Sequence, residues 1–289
     1  MSEPTLALFI EYWSLLYRDP VITAVVAGAV LGWLGVYIVM RRMVFVTAAV
    51  SQAAGLGVAL AFWVQIVFSE SAAHPDHDSH PVIGAVLMSF AATLLFAIRT
   101  DALRISREAI LGLAYVGFGG LTVVIGDRIH QEAHDISAIL FGTAVVVRPD
   151  DMFLVCGAGA FVIAILSWWH RGFVFAAFDP EGAKVHGLPV QLLDVVLWML
   201  VALMVSLSTR ALGALPVFAF AVLPAVAALL ATTRLTHAIA LATLFGATAG
   251  GLGYLLSFLY VLPVGATQTV TAAALVLLMV PLRLLRGPS

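Results

Sequence analysis

The sequence has few charged residues. Only 10% of its 289 residues are Asp, Glu, Lys or Arg, whereas soluble domains carry about 25%. In contrast, 62% of the residues are hydrophobic and the mean hydropathy is +1.08. This composition excludes a water-soluble globular protein and indicates a chain that lies mainly in a membrane. With a formal net charge of -2 and no basic stripe, we expect no nucleic-acid partner.

Cysteine and lysine each occur once. Cys156 has no second cysteine with which to form an intrachain disulfide or a thiolate metal cluster. Lys184 is followed by Val185, so the sequence has no phosphate-binding loop and this chain alone should not hydrolyse ATP. Hydrolase motifs are also missing, and no acidic residue lies at the centre of an apolar stretch. We therefore expect a protein that is not an enzyme, binds no permanent cofactor and takes energy for any uphill transport from another chain.

Long apolar stretches divide the sequence into about nine predicted membrane crossings. A helix needs roughly 20 apolar residues to span the hydrocarbon with its backbone bonded internally. The sequence therefore predicts an all-α, polytopic membrane helix bundle, with a transmembrane domain over residues 20–285 and a C-terminal tail over 286–289. The predicted crossings are residues 20–40, 47–68, 82–98, 109–126, 152–170, 192–208, 212–231, 238–261 and 266–285.

Basic residues in the loops predict the orientation, because Arg and Lys collect on the cytoplasmic side of short loops. Only Arg18, Arg128, Arg148 and Arg210 fall on the other side. The N-terminus is then outside and the C-terminus inside, which agrees with an odd number of crossings. The cytoplasmic set is Arg41, Arg42, Arg99, Arg104, Arg107, Arg171, Lys184, Arg234, Arg283 and Arg286.

Residues 1–19 precede the first crossing. They lack the basic start of an export signal, so we expect them to be retained. Their apolar positions recur at helical spacing, which favours an interfacial amphipathic helix, although an ordinary first half-turn of the bundle remains open. These positions are Leu6, Phe9, Ile10, Trp13 and Leu16 or Tyr17.

Two further patterns concern packing inside the bundle. Residues 136–147 are apolar but too short to cross, which predicts a re-entrant or interfacial segment shielded by protein or lining a water-filled cavity. Gly28 with Gly32, and Gly246 with Gly250, match the small-xxx-small pattern of close helix packing.

The cytosolic loop after the fifth predicted crossing contains signals for a short helix over residues 179–187. Asp179 can cap its start, Pro180 suits the first turn and Glu181 favours the positive end of the helix. Gly187 can adopt the left-handed conformation that ends it. Such a helix could dock on a cytosolic partner and transmit motion; a plain loop helix is the other interpretation.

This loop, Phe178-Asp179-Pro180-Glu181-Gly182-Ala183-Lys184-Val185-His186-Gly187, resembles the Phe-Asp-x-Glu-x-Ala-x-x-x-Gly pattern of the ABC-type zinc, manganese and iron permease family. Other blocks resemble the family in the same order, over roughly residues 21–285. They are Arg41-Arg42; Ser51, Ala53, Ala54, Gly57, Val58, Ala59 and Leu60; Glu108 to Gly112; Leu140-Phe141-Gly142; and residues 205–230 with Gly213 and Leu223-Pro224-Ala225.

The resemblance implies the membrane subunit of an importer in the bacterial cytoplasmic (inner) membrane, embedded in lipid. It implies a homodimer or a heterodimer with a second permease, an extracytoplasmic metal-binding protein and a cytosolic ATPase subunit that uses the ATP. By the same resemblance, Asp179, Pro180, Glu181, Ala183 and Gly187 belong to a coupling helix that contacts the ATPase. Divalent metal ion would be the transported substrate.

The transit path is where the sequence departs from the family. The family's Gly-Asp-x-x-Ser-His pattern places a carboxylate and an imidazole on one helix face. In this sequence Thr47, Ala48 and Gln52 replace the Gly, Asp and His, and only Ser51 remains. The ion could pass a weak, partly hydrated site at Thr47, Ser51 and Gln52; a different second permease could supply ligands; or the substrate is not a bare ion. Hydrogen bonding between helices is the alternative role of these residues.

Two predicted external loops are rich in residues that bind metals. Imidazole and carboxylate together suit Zn²⁺ and related ions, so these loops favour zinc over manganese or iron; a solvated polar turn is the alternative. The residues in question are His74, Asp76, His77, Asp78 and His80 in the first loop, and His130 and His134 in the second.

The leading hypothesis is therefore the permease of an ATP-driven importer of divalent metal ions. An importer of a metal chelate or another small solute on the same fold is the first alternative. A membrane scaffold that does not transport is the second.

Overall fold

The computed structural model describes residues 6–68, 80–97, 106–128 and 147–285, and the regular structure in these ranges is helical. The chain starts with α1 (Leu6–Glu11), a π-helical turn (Trp13–Tyr17), α2 (Arg18–Met40) and α3 (Val44–Phe68). There follow α4 (His80–Ala97), α5 (Arg107–Arg128), α6 (Pro149–Trp168), α7 (His170–Phe178), α8 (Pro180–Val185), α9 (Val190–Leu212), α10 (Ala214–Ala231), α11 (Leu235–Tyr260) and α12 (Val264–Leu285).

Eight helices in the described part of the chain are long and apolar enough to cross a membrane. They are α2, α3, α5, α6, α9, α10, α11 and α12. The prediction of an all-α membrane bundle is thus confirmed. The remaining predicted crossing, residues 82–98, falls on α4, whose apolar helix Pro81–Phe96 is shorter than the other eight within the described residues.

Helix α2 lies at the centre of the bundle and packs against α6, α9, α10 and α11. Its contact with α11 brings backbones together: a Cβ atom built on Gly28 would lie 2.2 Å from the carbonyl oxygen of Gly246. A Cβ on Gly250 would lie 2.3 Å from the carbonyl oxygen of Ala24. Close packing of the two small-residue stripes, predicted from the sequence, is therefore confirmed.

The boundary between the sixth and seventh predicted crossings was wrong. The sixth predicted crossing ended at Ser208, but α9 continues to Leu212 with Ser208 and Thr209 buried. The helix ends at Gly213, whose φ of 97° is readily accessible only to glycine. The polar residues before it therefore lie inside the helix.

The N-terminal segment contacts the bundle through aromatic rings. Phe9 is 8% exposed and its ring centroid lies 4.9 Å from that of Tyr17 and 5.2 Å from that of Phe258 on α11. Ile10, in contrast, is 71% exposed. One face of α1 is therefore packed on protein and another is open; its interfacial role stays a prediction.

Candidate functional site

The polar residues predicted for the transit path lie on the first third of α3. Thr47 is fully buried, and its Oγ1 donates a hydrogen bond to the carbonyl of Val44 at 2.8 Å. Ser51 is 2% exposed and donates to the carbonyl of Ala48 at 2.9 Å. Both hydroxyl groups use their proton within α3, so towards a ligand they offer oxygen lone pairs.

A cavity of about 650 Å³ opens beside this part of α3. Ala48, Ser51 and Gln52 line it, whereas Thr47 is not among the lining residues. The other walls come from two neighbouring helices, as Tyr115, Val116, Gly119 and Val123 of α5 and Ala214, Leu215 and Phe218 of α10, together with Phe45 of α3. The structure therefore joins two of the three predicted transit residues in one site.

Gln52 is the most polar group of this cavity. Its Oε1 atom is buried and accepts no hydrogen bond from the described residues. The amide packs against Gly119, because a Cβ atom built on Gly119 would lie 3.1 Å from Gln52 Oε1. A buried amide oxygen without a donor is costly, and a cation or its hydration water would satisfy it.

No charged side chain is among the described residues that line the cavity. The atoms of the lining that could coordinate a cation are the neutral side-chain oxygens of Ser51, Gln52 and Tyr115. Such oxygens suit hard cations better than Zn²⁺, which binds His, Cys and carboxylates. The site can thus hold a hydrated cation or a neutral polar group weakly, as passage through a membrane requires.

The wall formed by α5 and α10 was missed in the sequence analysis. Gly119 and Phe218 carry no metal-binding chemistry, and their part in the site depends on helix packing alone. A glycine facing a polar side chain on another helix leaves no local signal in the sequence.

Within residues 179–187, the stretch predicted to couple to a partner, Pro180–Val185 form α8. The Asp179 carboxylate accepts a hydrogen bond from the backbone N–H of Gly182 at 2.8 Å, and Pro180 occupies the first turn. Gly187 ends the element with a φ of 78°. Ala183 is fully buried, while Glu181 is exposed. The helix is thus anchored on one side and free on the other, where a partner could bind.

An ion pair beside α8 connects the ends of α2 and α9. Arg41 Nη1 donates to Asp194 Oδ1 of α9. Pro180 and Lys184 of α8 lie at the same pocket as this pair. The pair therefore links the C-terminal end of α2 to the N-terminal end of α9 at a pocket that α8 also lines.

The predicted external metal loops fall mostly outside the described residues, namely His74, Asp76, His77, Asp78, His130 and His134. His80 is the first residue of α4. The segment 136–147, apart from Val147, and the tail over 286–289 also lie outside. Within the described ranges there is no group of three or more His, Cys, Asp or Glu that could hold a metal.

The model of the ABC 3 transport family matches residues 15–283. The manganese transport system membrane protein MntC of Listeria monocytogenes is 28% identical over 255 residues, covering 88% of this chain and 86% of MntC. The chelated iron transport system membrane protein YfeD of Yersinia pestis is 27% identical over 238 residues, covering 82% of this chain and 75% of YfeD.

The fold has a solved counterpart. PsaBC from Streptococcus pneumoniae, determined in complex with Fab, superposes with a TM-score of 0.81 and 26% sequence identity. The superposition covers 95% of each chain. The likeness thus extends over the whole bundle.

Proposed function

This chain belongs to the ABC 3 transport family, and on this premise we propose that it imports divalent metal ions as the permease subunit of an ATP-binding-cassette transporter. It is a multi-pass permease of the bacterial cytoplasmic membrane. The observation that carries the proposal is the cavity beside Ser51 and Gln52, where a buried oxygen has no donor among the described residues. This is the position at which the family pattern has its ion ligands.

Manganese is the ion that we propose first. The relatives reported above are named for manganese and for chelated iron. Neutral oxygen donors also suit Mn²⁺ better than Zn²⁺. The zinc favoured by the external histidines is the competing candidate, because imidazole ligands at the entrance would enrich Zn²⁺.

A metal chelate is the second candidate substrate. A cavity of about 650 Å³ lies within the roughly 300–1,000 Å³ of small-molecule sites and exceeds what one bare ion fills. Ala48 and Gln52 stand where the family pattern has its Asp and His ligands. Their absence also favours a chelate, since a chelator brings its own ligands.

The proposed partners follow from what the chain lacks. It has no ATP-binding loop, so the energy comes from a cytosolic ATPase that contacts α8, and the metal is delivered by an extracytoplasmic binding protein. Val116 and Val123 at the cavity are 69% and 56% exposed. We propose that a second permease, identical or homologous, covers this apolar rim and completes the site.

The test is uptake into liposomes that contain the permease, its ATPase and the binding protein loaded with Mn²⁺, Zn²⁺, Fe²⁺ or a chelate. We expect accumulation that requires ATP and is fastest with Mn²⁺. Gln52→Leu should lower uptake severalfold, whereas Gln65→Leu, on the same helix but at a different pocket, should not. Accumulation by the permease alone without nucleotide, or a complete assembly that moves no metal, would refute the proposal. The second result would favour a scaffold.

A further inference from the structure

A second pocket lies at the cytosolic ends of α3, α4 and α9, closed on one side by α8. Its volume is about 410 Å³. Arg41, Lys184 and Asp194 supply charged groups, and Phe96 and Trp198 supply aromatic surface. It is separate from the cavity at Gln52, with which it has no lining residue in common.

The guanidinium of Arg41 is only partly paired. Its side chain is 12% exposed, and Nη1 is engaged by Asp194. Its Nε and Nη2 atoms are buried and have no acceptor among the described residues. A guanidinium carries five N–H donors in a planar fork that fits two oxygens of a phosphate, so the Nε–Nη2 edge of Arg41 still has N–H groups that an anion can satisfy.

Two further side chains that can donate hydrogen bonds, Thr93 and Lys184, line the same pocket. Thr93 is 3% exposed, and its Oγ1 has no hydrogen-bond partner in the described parts of the chain. Lys184, the only lysine of the chain, is exposed at the end of α8. Arg41 and Lys184 together outweigh the single carboxylate of Asp194, so the pocket has a net positive charge.

The ligand chemistry follows from the position of the pocket. It lies where α3 and α9 reach the cytosolic face, and Trp198 is one turn deeper in the membrane than Asp194 on α9. A ligand that fits must present an anionic oxygen group towards Arg41 and an apolar part beside Trp198. Basic pockets between helices on the cytosolic side bind the headgroups of anionic lipids.

We propose that this pocket binds the phosphate of an anionic phospholipid from the cytosolic leaflet, with Arg41, Lys184 and Thr93 as its donors. The bound lipid would contact α8 through Lys184 and would thus lie against the helix proposed to contact the ATPase. Binding itself does not depend on the transported substrate, so it can be tested apart from the proposed function.

The test measures short-chain phosphatidylglycerol and phosphatidylcholine binding to the purified permease in detergent by native mass spectrometry. We expect the wild type to prefer phosphatidylglycerol at least fivefold. Arg41→Gln and Lys184→Gln should each reduce this preference severalfold. Arg171→Gln, an exposed arginine on α7, is the matched control and should leave it unchanged.

Asp194→Asn separates a binding role from a structural one. Loss of the carboxylate removes a competitor for Arg41, so the affinity for phosphatidylglycerol should rise in Asp194→Asn. If the ion pair were merely structural, Asp194→Asn and Arg41→Gln would lose the preference for phosphatidylglycerol to the same extent. Equal binding of the two lipids by the wild type, or an undiminished preference in Arg41→Gln, would overturn the proposal. Inorganic phosphate that displaces the lipid at equal concentration would also overturn it, in favour of a site for free phosphate.

Discussion

Gly28 of α2 and Gly246 of α11 are in direct backbone contact: a Cβ atom built on Gly246 would lie 1.9 Å from the carbonyl oxygen of Gly28. No real Cβ tolerates such a distance. In a membrane, where burial of apolar surface between helices gives little driving force, close backbone packing is a main source of helix association. This contact therefore fixes the distance between the two helices.

Gly246→Ala is expected to destabilise the bundle. The new methyl group meets backbone and cannot be relieved by a side-chain rotation, so α2 and α11 must separate, at a cost of about 1–3 kcal/mol. The measurement is the thermal unfolding midpoint in detergent. Gly157→Ala is the matched control, because Gly157 is also helical but has nothing within 4 Å of a built Cβ. A midpoint that falls equally in both variants would argue against the packing explanation.

The ion pair between Arg210 of α9 and Asp151 of α6 should also stabilise the bundle. The two atoms Nη1 and Oδ1 are 3.4 Å apart, and the side chains are only 15% and 13% exposed. Removing one partner leaves a largely buried charge, so we expect Arg210→Gln to cost about 1–3 kcal/mol of unfolding free energy.

The control for this prediction is Arg18→Gln. Arg18 also pairs with an aspartate, Asp19, but its side chain is 50% exposed, and a pair of this kind contributes about 0–1 kcal/mol. A double-mutant cycle of Arg210→Gln and Asp151→Asn measures the coupling energy between Arg210 and Asp151. A coupling energy near zero would show that the pair does not stabilise the fold.

Much of the fold could be predicted from the sequence because hydropathy determines membrane spans directly. The boundaries were less predictable where two local signals competed. The sixth predicted crossing stopped at Ser208, but the buried Ser208 and Thr209 and the following Arg210 lie within α9, which ends at Gly213. Which polar residues are buried is decided by packing.

In the candidate site, too, some features could be predicted from the sequence and others depend on helix packing. The polar residues of α3 were identified through the resemblance to the family's Gly-Asp-x-x-Ser-His pattern, whose two ligands lie four positions apart and therefore share a helix face. That Gln52 lies against Gly119 of α5, and that Thr47 is not among the residues lining the cavity, depends on how α3 and α5 pack. Neither relationship could be derived from a single sequence.

Glu181 is expected to couple ATP hydrolysis to uptake if α8 contacts the ATPase. Its side chain is exposed, so Glu181→Ala should leave the fold intact while uptake per ATP hydrolysed falls severalfold. Glu108→Ala is the control, since Glu108 is likewise an exposed acid in the first turn of a helix. Both ATPase rate and metal uptake are measured in liposomes; an unchanged ratio in Glu181→Ala would contradict the coupling role.

Asp179 offers a test of whether α8 must be a well-formed helix. Its carboxylate caps the Gly182 N–H, and loss of such a cap costs about 1 kcal/mol. Asp179→Ala should therefore lower coupling, and Asp179→Ser, which can still cap, should restore most of it. If both variants lose coupling equally, the charge of Asp179 rather than its capping bond is what the partner requires.

Restoring the family ligands in the cavity should create a stronger metal site. Ala48 and Gln52 line the same cavity four residues apart, so Ala48→Asp with Gln52→His places a carboxylate and an imidazole on one face. We expect metal affinity in detergent to rise at least about tenfold, or about 1.4 kcal/mol. The matched control is Ala61→Asp with Gln65→His, which makes the same change on the same helix at a different pocket. Because an ion must also leave its site, tighter binding should slow transport, and equal affinity gains in both double variants would show that the cavity is not the preferred place for the ion.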